Sequence, residues 1–205
     1  MTTHEWKSFL KLYSRELLSY DWSDTLRMFA AHGAAISEEA RRTQWLGYLP
    51  ASEAAIEAAE QRLGRRLPPS LRAFYEVTNG WGMTGSFIFQ VLPVQRLAWL
   101  RDFDPHLFRI ACENAPEPEA VHGEWSQYSV EQGTMVKRSL AVSDKGDAAI
   151  WLLDPGEPGS TGEWRGGCWA SWNPGMEWTA DSFAELMRNE FESMRELQEE
   201  DDTQQ

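Results

Sequence analysis

The chain has 205 residues, of which 32 are acidic and 19 are basic, so its formal charge at neutral pH is −13. This length fits one domain with a short additional piece, and the negative charge argues against nucleic-acid binding, which needs basic patches. No stretch approaches the roughly 20 consecutive apolar residues of a membrane-spanning helix, so we expect no membrane span.

Two features indicate where the protein acts. The two cysteines, Cys112 and Cys168, lie far apart in the sequence. This argues against a disulfide scaffold and against a cysteine zinc site, and it favours a reducing compartment. The first residues carry a charge every few positions, so we expect no secretory signal and a cytoplasmic location.

The N-terminal part predicts helices. Residues Thr2–Leu18 have helical apolar spacing, and Thr2 with Glu5 predicts a capping box at the start. The apolar stripe consists of Trp6, Phe9, Leu10, Tyr13 and Leu17. A second, weaker helix is predicted within Ser23–Ala35, and residues 45–50 (Trp-Leu-Gly-Tyr-Leu-Pro) indicate a packed connector near the boundary of the main domain.

A helical hairpin is predicted from Ser52 to Gly80. Ser52 is a suitable N-cap for the first helix, and Gly64 can end it in the left-handed conformation. Ser70 is the predicted cap of the second helix, which Asn79 and Gly80 would terminate. Because exposed basic rows are few and the chain is acidic, this hairpin does not indicate DNA binding.

The pattern then changes to strands and returns to a helix at the end. Residues 86–91 alternate with period two, which predicts a strand with Phe87, Phe89 and Val91 on its buried face. Apolar runs at 139–143 and 148–153 predict a β-hairpin around a polar turn, and a further strand is predicted at Glu163–Trp172, closed by a turn at 173–175. Ser182 and Glu185 predict the capped start of a last helix.

This order of elements predicts an α+β fold, with a mainly antiparallel, twisted sheet that carries helices on one face, plus extra N-terminal helices. We expect an N-terminal helical extension at residues 1–45 and a main domain at residues 46–195. Residues 196–205 predict an acidic, disordered tail, because runs of like charge stay solvated.

The main domain contains a series of short motifs in a characteristic order, namely Ile56, Glu60, Leu63-Gly64, Leu67-Pro68, Phe74 and Asn79-Gly80. With the hairpin around 144–147 and the helix start at 181–186, these motifs resemble the SUKH superfamily, particularly its Smi/Knr branch. The resemblance covers about Trp45 to Glu192. The resemblance implies a concave sheet face that binds partners. It also implies membership of a group of bacterial immunity proteins that neutralise toxins, often nucleases, together with regulators that act through protein contacts, without a shared catalytic constellation.

Catalytic and metal-binding motifs are not evident in the sequence. The four histidines are widely spread and show no metal-ligand spacing; they are His4, His32, His106 and His122. Nucleophile elbows, phosphate-binding loops and dinucleotide fingerprints are missing as well. We therefore expect no enzyme activity, no catalytic residue, no metal and no cofactor.

Two tryptophans and five acids form the predicted partner-binding surface. Trp81 and Trp164 each lie in a glycine-containing polar segment, and large amphipathic rings are frequent interface anchors. The acids, which could pair with lysine and arginine in a nuclease groove, are Asp144, Asp147, Asp154, Glu157 and Glu163. Tryptophan rings also serve as platforms that bind carbohydrates, but we favour a protein interface.

These observations favour an immunity protein that binds a basic toxin domain, possibly a nuclease. A charge of −13 attracts basic partners and can raise association rates by about 10–1000-fold at low salt. An acidic surface that only confers solubility explains the charge equally well. The alternative function is a regulatory or scaffold module with a non-toxin partner.

Overall fold

The structure is a computed structural model that describes residues 1–20, 36–85, 87–113, 133–146, 148–156, 161–171 and 173–203. The α-helices are α1 (Thr3–Ser19), α2 (Glu38–Thr43), α3 (Glu53–Leu63), α4 (Pro69–Tyr75), α5 (Leu100–Phe103), α6 (Pro105–Glu113) and α7 (Phe183–Thr203), with a 3-10 turn at Val94–Arg96 and a helical segment at 133–137. The helix predicted within Ser23–Ala35 lies outside the described residues.

The strands form an antiparallel arrangement. They are β1 (Trp81–Gly82), β2 (Gln90–Val91), β3 (Ala98–Trp99), β4 (Leu140–Ala141), β5 (Ala149–Asp154), β6 (Arg165–Ala170) and β7 (Asn173–Ala180). Strands β3 to β7 make a five-stranded sheet in sequence order, and β1 and β2 form a separate pair. A single bridge between Val91 and Ser143 connects the pair to the larger sheet. The predicted α+β class with a mainly antiparallel sheet is confirmed.

Strand β5 has a buried residue at every position, because both faces of the sheet are covered at this point. Trp151 and Leu153 face the main core, which also contains buried side chains of α1, α3, α4 and α7. Ile150 and Leu152 face a smaller cluster with side chains of α5, α6 and the segment 133–137. The alternation along β5 is the period-two geometry of a strand with two buried faces.

Helix α1 is part of the main core. Trp6, Leu10, Tyr13 and Leu17 are buried on the same side of the helix and belong to the same cluster as the residues of the sheet. The capping box of Thr2 and Glu5 is present as predicted. The N-terminal helix therefore stabilises the main domain directly instead of forming a body of its own.

The predicted ends of the helical hairpin are confirmed at the first helix and corrected at the second. Ser52 caps α3, and Gly64 ends it with a φ of 69°. Ser70 does not cap α4, because Pro68 occupies the N-cap position and Ser70 lies inside the helix. Pro69 is the first residue of α4, a position where the missing N–H of proline costs no hydrogen bond.

The strand predicted at 86–91 is shorter than expected. Gly85 N donates a hydrogen bond to the Ile88 carbonyl at 2.8 Å, which reverses the chain, and among the described residues of the predicted strand only Gln90–Val91 pairs as a strand. Phe87 lies at this reversal and is 48% exposed. The tight reversal breaks the alternation that the sequence suggests, since a strand requires extended residues throughout.

Two further boundaries differ from the predictions. Ala170 pairs with Asn173, so the chain reverses before the predicted turn, and positions 174 and 175 fall in a register shift within β7; bulges of this kind accommodate proline and glycine. The segment 196–205, predicted to be disordered, is helical as far as Thr203. Its glutamates and glutamine are good helix formers and extend the last helix beyond the core.

No described helix combines the length and the apolar character that crossing a bilayer requires.

Candidate protein-binding site

A groove of about 640 Å³ lies between α2, the connector that follows it, and the β1–β2 pair. Its described lining residues are Ile36, Ser37, Glu39, Ala40, Thr43, Trp45, Leu46, Gly47, Tyr48, Leu49, Gly82, Met83 and Gln90. Most of these side chains are apolar or uncharged, so the groove presents a surface that gains free energy when a partner removes it from water.

The connector places two apolar side chains at the rim of the groove. Leu46 is buried and its N–H donates to the Ser14 hydroxyl at 3.1 Å, while the Trp45 ring packs edge-on against Trp81. With these residues anchored, Tyr48 and Leu49 remain 53% and 85% exposed. Two large adjacent exposed apolar residues beside a groove are typical of a binding surface.

The connector also extends the small sheet. Gly47 forms an antiparallel bridge with Trp81, and Gly82 N donates to the Leu46 carbonyl at 3.1 Å. Because the groups of a strand alternate in direction, the N–H and C=O of Gly47 point away from β1. No described residue forms a hydrogen bond with either group. Gly47 is therefore an open sheet edge on the wall of the groove.

Thr78 explains why a glycine occupies this edge. Its hydroxyl accepts a hydrogen bond from Tyr48 N at 2.8 Å and donates one to the Gly80 carbonyl at 2.7 Å. A Cβ atom at Gly47 would lie 2.6 Å from the same hydroxyl oxygen. The side chain of Thr78 thus joins the connector to the sheet, and it lies so close to Gly47 that a larger residue has no room at position 47.

The two predicted tryptophan anchors are buried. Trp81 lies between the rings of Tyr13 and Trp45, and Trp164 stacks on Trp99 with a centroid distance of 6.1 Å. The sequence shows the polar neighbours of each ring but not the aromatic residues that pack over it, and partner binding by either ring stays a prediction. A partner cannot reach either ring in this conformation.

Two of the predicted acids bind to groups of the chain itself. Asp154 is buried and accepts two hydrogen bonds from the Arg138 guanidinium, at 2.5 and 2.7 Å. Glu163 accepts hydrogen bonds from the backbone N–H and the hydroxyl of Ser70, at 2.9 and 2.7 Å. Both carboxylates therefore have structural roles, and partner binding by either stays a prediction.

Asp144 has a comparable structural role at the hairpin turn. Its carboxylate accepts from the N–H groups of Phe89, Gln90 and Gly146 at 3.2–3.3 Å. Burial raises the pKa of this carboxyl group, and the three N–H donors oppose that rise. Asp144 thus connects the hairpin turn to β2. The other two acids of the predicted partner-binding surface, Asp147 and Glu157, lie outside the described residues.

Ser70→Ala tests the structural role of Glu163. The variant removes the hydroxyl that donates to Glu163 at 2.7 Å, and we expect it to lower the free energy of unfolding by about 1.5–3 kcal/mol, as for a hydrogen bond to a charged group. Urea unfolding of this variant and of Ser52→Gly, which changes only a helix cap and should cost a few tenths of a kcal/mol, provides the comparison. A cost no larger than that of Ser52→Gly would contradict the role.

An enclosed carboxyl group lies beneath the loop that follows β1. Burial raises the pKa of Glu190, on α7, to about 7. A Cβ atom added to Gly85 would lie 1.6 Å from Glu190 Oε1, so the loop backbone sits directly on the carboxyl group. Nearby, the Tyr13 hydroxyl donates to the Thr84 carbonyl at 2.5 Å, and burial together with Glu190 raises the pKa of Tyr13.

Glu190 and the histidines do not form a catalytic constellation with the groove. Glu190 is not among the described residues that line it. His4 and His106 are exposed, and His32 and His122 lie outside the described residues. Within the described part of the chain, no three histidine, cysteine, aspartate or glutamate residues could hold a metal ion together.

The sequence analysis did not identify Tyr48 and Leu49 as exposed residues at the groove. The connector at 45–50 was predicted to be packed, and its apolar composition is the same whether the side chains face inward or outward. The available signal was its position, since apolar residues in a short segment between helices cannot all reach one core. Glu190 was missed although it lies four residues after Leu186 and four before Met194, which are both buried; this helical spacing, which puts all three on one side of α7, was the available signal.

Comparison with known proteins supports the relationship suggested by the motifs. Residues 50–189, more than half of the chain, match the family described as SMI1 / KNR4 family (SUKH-1). No curated protein matches this chain. The matched region begins just after Leu49, so it contains β1, β2 and the whole five-stranded sheet but not α1, α2 or the connector.

Proposed function

Because the chain belongs to the SMI1 / KNR4 (SUKH-1) family, we propose that it is a cytoplasmic, non-enzymatic protein-binding protein that neutralises a bacterial toxin. The partner is a basic toxin domain, possibly a nuclease, and the protein acts by covering its substrate-binding surface.

The observation that carries this proposal is the exposed apolar pair Tyr48 and Leu49 beside the groove. Burying a leucine side chain contributes about 1.5–3 kcal/mol, and aromatic anchors with apolar neighbours dominate many protein interfaces. The neighbouring Leu46 and Trp81 are buried, so this exposure is not a consequence of a loose fold. A protein partner is the class of ligand that covers such a rim.

The charge supports a basic partner. In addition to the overall charge of −13, Glu192, Glu196 and Glu199 are exposed on α7. Their spacing of four and three residues places them on one side of the helix. A field of this sign accelerates the approach of a basic protein and loses strength as salt is added.

Co-expression tests the proposed function. The product of a toxin gene adjacent to the gene of this chain is expressed with and without it in the same host. We expect growth arrest by the toxin alone, rescue by co-expression, and a complex of the purified proteins whose association slows as salt is raised from 50 to 500 mM, about a tenfold range that shortens the screening length severalfold.

The outcomes separate the alternatives. Arrest without rescue and without a complex contradicts the immunity function, and a stable complex with a non-toxic partner instead supports the regulatory alternative. Turnover of a substrate by the purified chain that is abolished by one substitution, such as Glu190→Gln, contradicts the non-enzymatic part of the proposal.

A further inference from the structure

We propose that the groove binds an extended, basic segment of the partner protein, which adds as a strand to the open edge at Gly47. The inference rests on the proposed function and names the site and the chemistry of its ligand. Its central residues, Gly47, Tyr48 and Leu49, lie before the matched family region of 50–189.

The backbone at Gly47 determines the conformation of the ligand. Gly47 lines the groove, and its N–H and C=O point away from β1, since the Leu46 carbonyl bonds to Gly82 and the Tyr48 N–H bonds to Thr78. Unpaired N–H and C=O groups at a sheet edge form hydrogen bonds with another extended chain, and peptide-binding domains use this mode widely. A helical ligand has no free backbone groups for such an edge.

The side chains around Gly47 determine which residues the segment presents. Tyr48 and Leu49 follow Gly47 and are exposed at the groove, and Met83 lines the groove beside Gly82. In an added strand, alternate side chains point toward these residues. The segment therefore carries apolar residues at every second position, at least where it crosses the connector.

The charge of the groove determines which residues occupy the other positions of the segment, between its apolar residues. Glu39 is the one charged residue among the described lining residues, and it is exposed. It forms an ion pair with Arg42 at 2.5 Å, also on the surface, where such pairs contribute little and exchange readily. With a chain charge of −13, lysine or arginine in the segment is favoured over aspartate or glutamate.

Selection from a random heptapeptide phage library identifies a probe. We expect enrichment of sequences that alternate apolar residues with lysine or arginine. A synthetic peptide of the enriched sequence is then titrated into the isotope-labelled chain, and we expect a chemical-shift change and slowed hydrogen exchange at the Gly47 amide. Leu49→Asp should weaken peptide binding at least about tenfold, since it places a carboxylate where an apolar contact is lost.

The control is Leu197→Asp on α7, which alters a leucine that is 48% exposed and lies outside the groove; it should bind the peptide as the parent does. Both variants change exposed residues, and equal melting temperatures verify that they fold. The inference is overturned by a library that yields no enriched sequence, by peptide binding without protection of Gly47, or by equal weakening in both variants.

Two other results also overturn it. A dimer of the chain that Leu49→Asp dissociates identifies a second copy as the occupant of the groove. Growth rescue by co-expression together with an unprotected Gly47 amide retains the proposed function and places the interface elsewhere on the protein.

Discussion

Replacing Trp6 with alanine should lower the free energy of unfolding by about 3–5 kcal/mol, the range for large aromatic residues truncated in a core. The Trp6 ring is buried between Phe74 and Phe183, at centroid distances of 5.3 and 5.7 Å. Its Nε1–H donates to the Ser70 carbonyl at 2.8 Å, and this buried acceptor loses its partner in the variant. The loss combines a cavity with an unsatisfied polar group.

Urea unfolding followed by circular dichroism measures this effect. Trp6→Phe, which keeps a ring but removes the N–H donor, should show an intermediate loss and provides a value if the alanine variant does not fold. Phe87→Ala is the control, because Phe87 is 48% exposed and surface substitutions usually change stability by less than about 0.5 kcal/mol. Equal costs for Trp6→Ala and Phe87→Ala would show that α1 does not support the core.

The Trp6 result bears on the organisation of the domain. Trp6 lies outside the matched region 50–189, yet it packs against residues at both ends of that region. A large loss of stability therefore means that the matched region needs α1 to complete its core. Deletion of α1 should then expose the apolar surface of α4 and α7, and such surfaces promote aggregation.

Glu190→Gln should remove a pH dependence from the stability of the protein. The pKa of Glu190 rises from 4.5 to about 7 in the folded state, so the folded protein holds this proton more tightly than the unfolded chain. Raising the pH from about 4.5 to 7 therefore destabilises the parent, by on the order of 3 kcal/mol at 1.36 kcal/mol per unit. Above about pH 7 the loss is complete and stays constant.

Unfolding curves between pH 5 and pH 8 measure the difference between variant and parent. We expect Glu190→Gln to be more stable than the parent at pH 8 and closer to it at pH 5, because glutamine resembles the protonated carboxyl group. Glu192→Gln is the matched control, since Glu192 is exposed on the same helix, and it should leave the pH profile unchanged. If the free energy of unfolding changed with pH in the same way in the parent and in Glu190→Gln, the carboxyl group would ionise without destabilising the folded state.

Local structure could be predicted wherever side chains act on their own backbone. The cap residues Thr2 and Ser52 and the left-handed Gly64 were predicted from short patterns, and each depends on neighbours a few residues away. The hairpin around Asp144 was predicted in the same way, although its carboxylate also bonds to the distant Phe89 and Gln90. The family motifs within 50–189 are also short patterns, and they could be recognised because their order along the chain reflects the order of the helical hairpin and the sheet. The α+β class followed from the order of these elements.

Which side chains remain available to a partner depends on the tertiary structure. Trp81 and Tyr48 both lie in short segments with glycine neighbours, but the ring of Trp81 is covered by Tyr13 from α1 and by Trp45, whereas Tyr48 faces the groove. In the sequence Asp154 is one of several acids expected to be available to a partner, but in the fold it is buried and forms an ion pair with Arg138. Burial and ion pairing depend on residues that are distant in sequence, and local patterns contain no information about those distances.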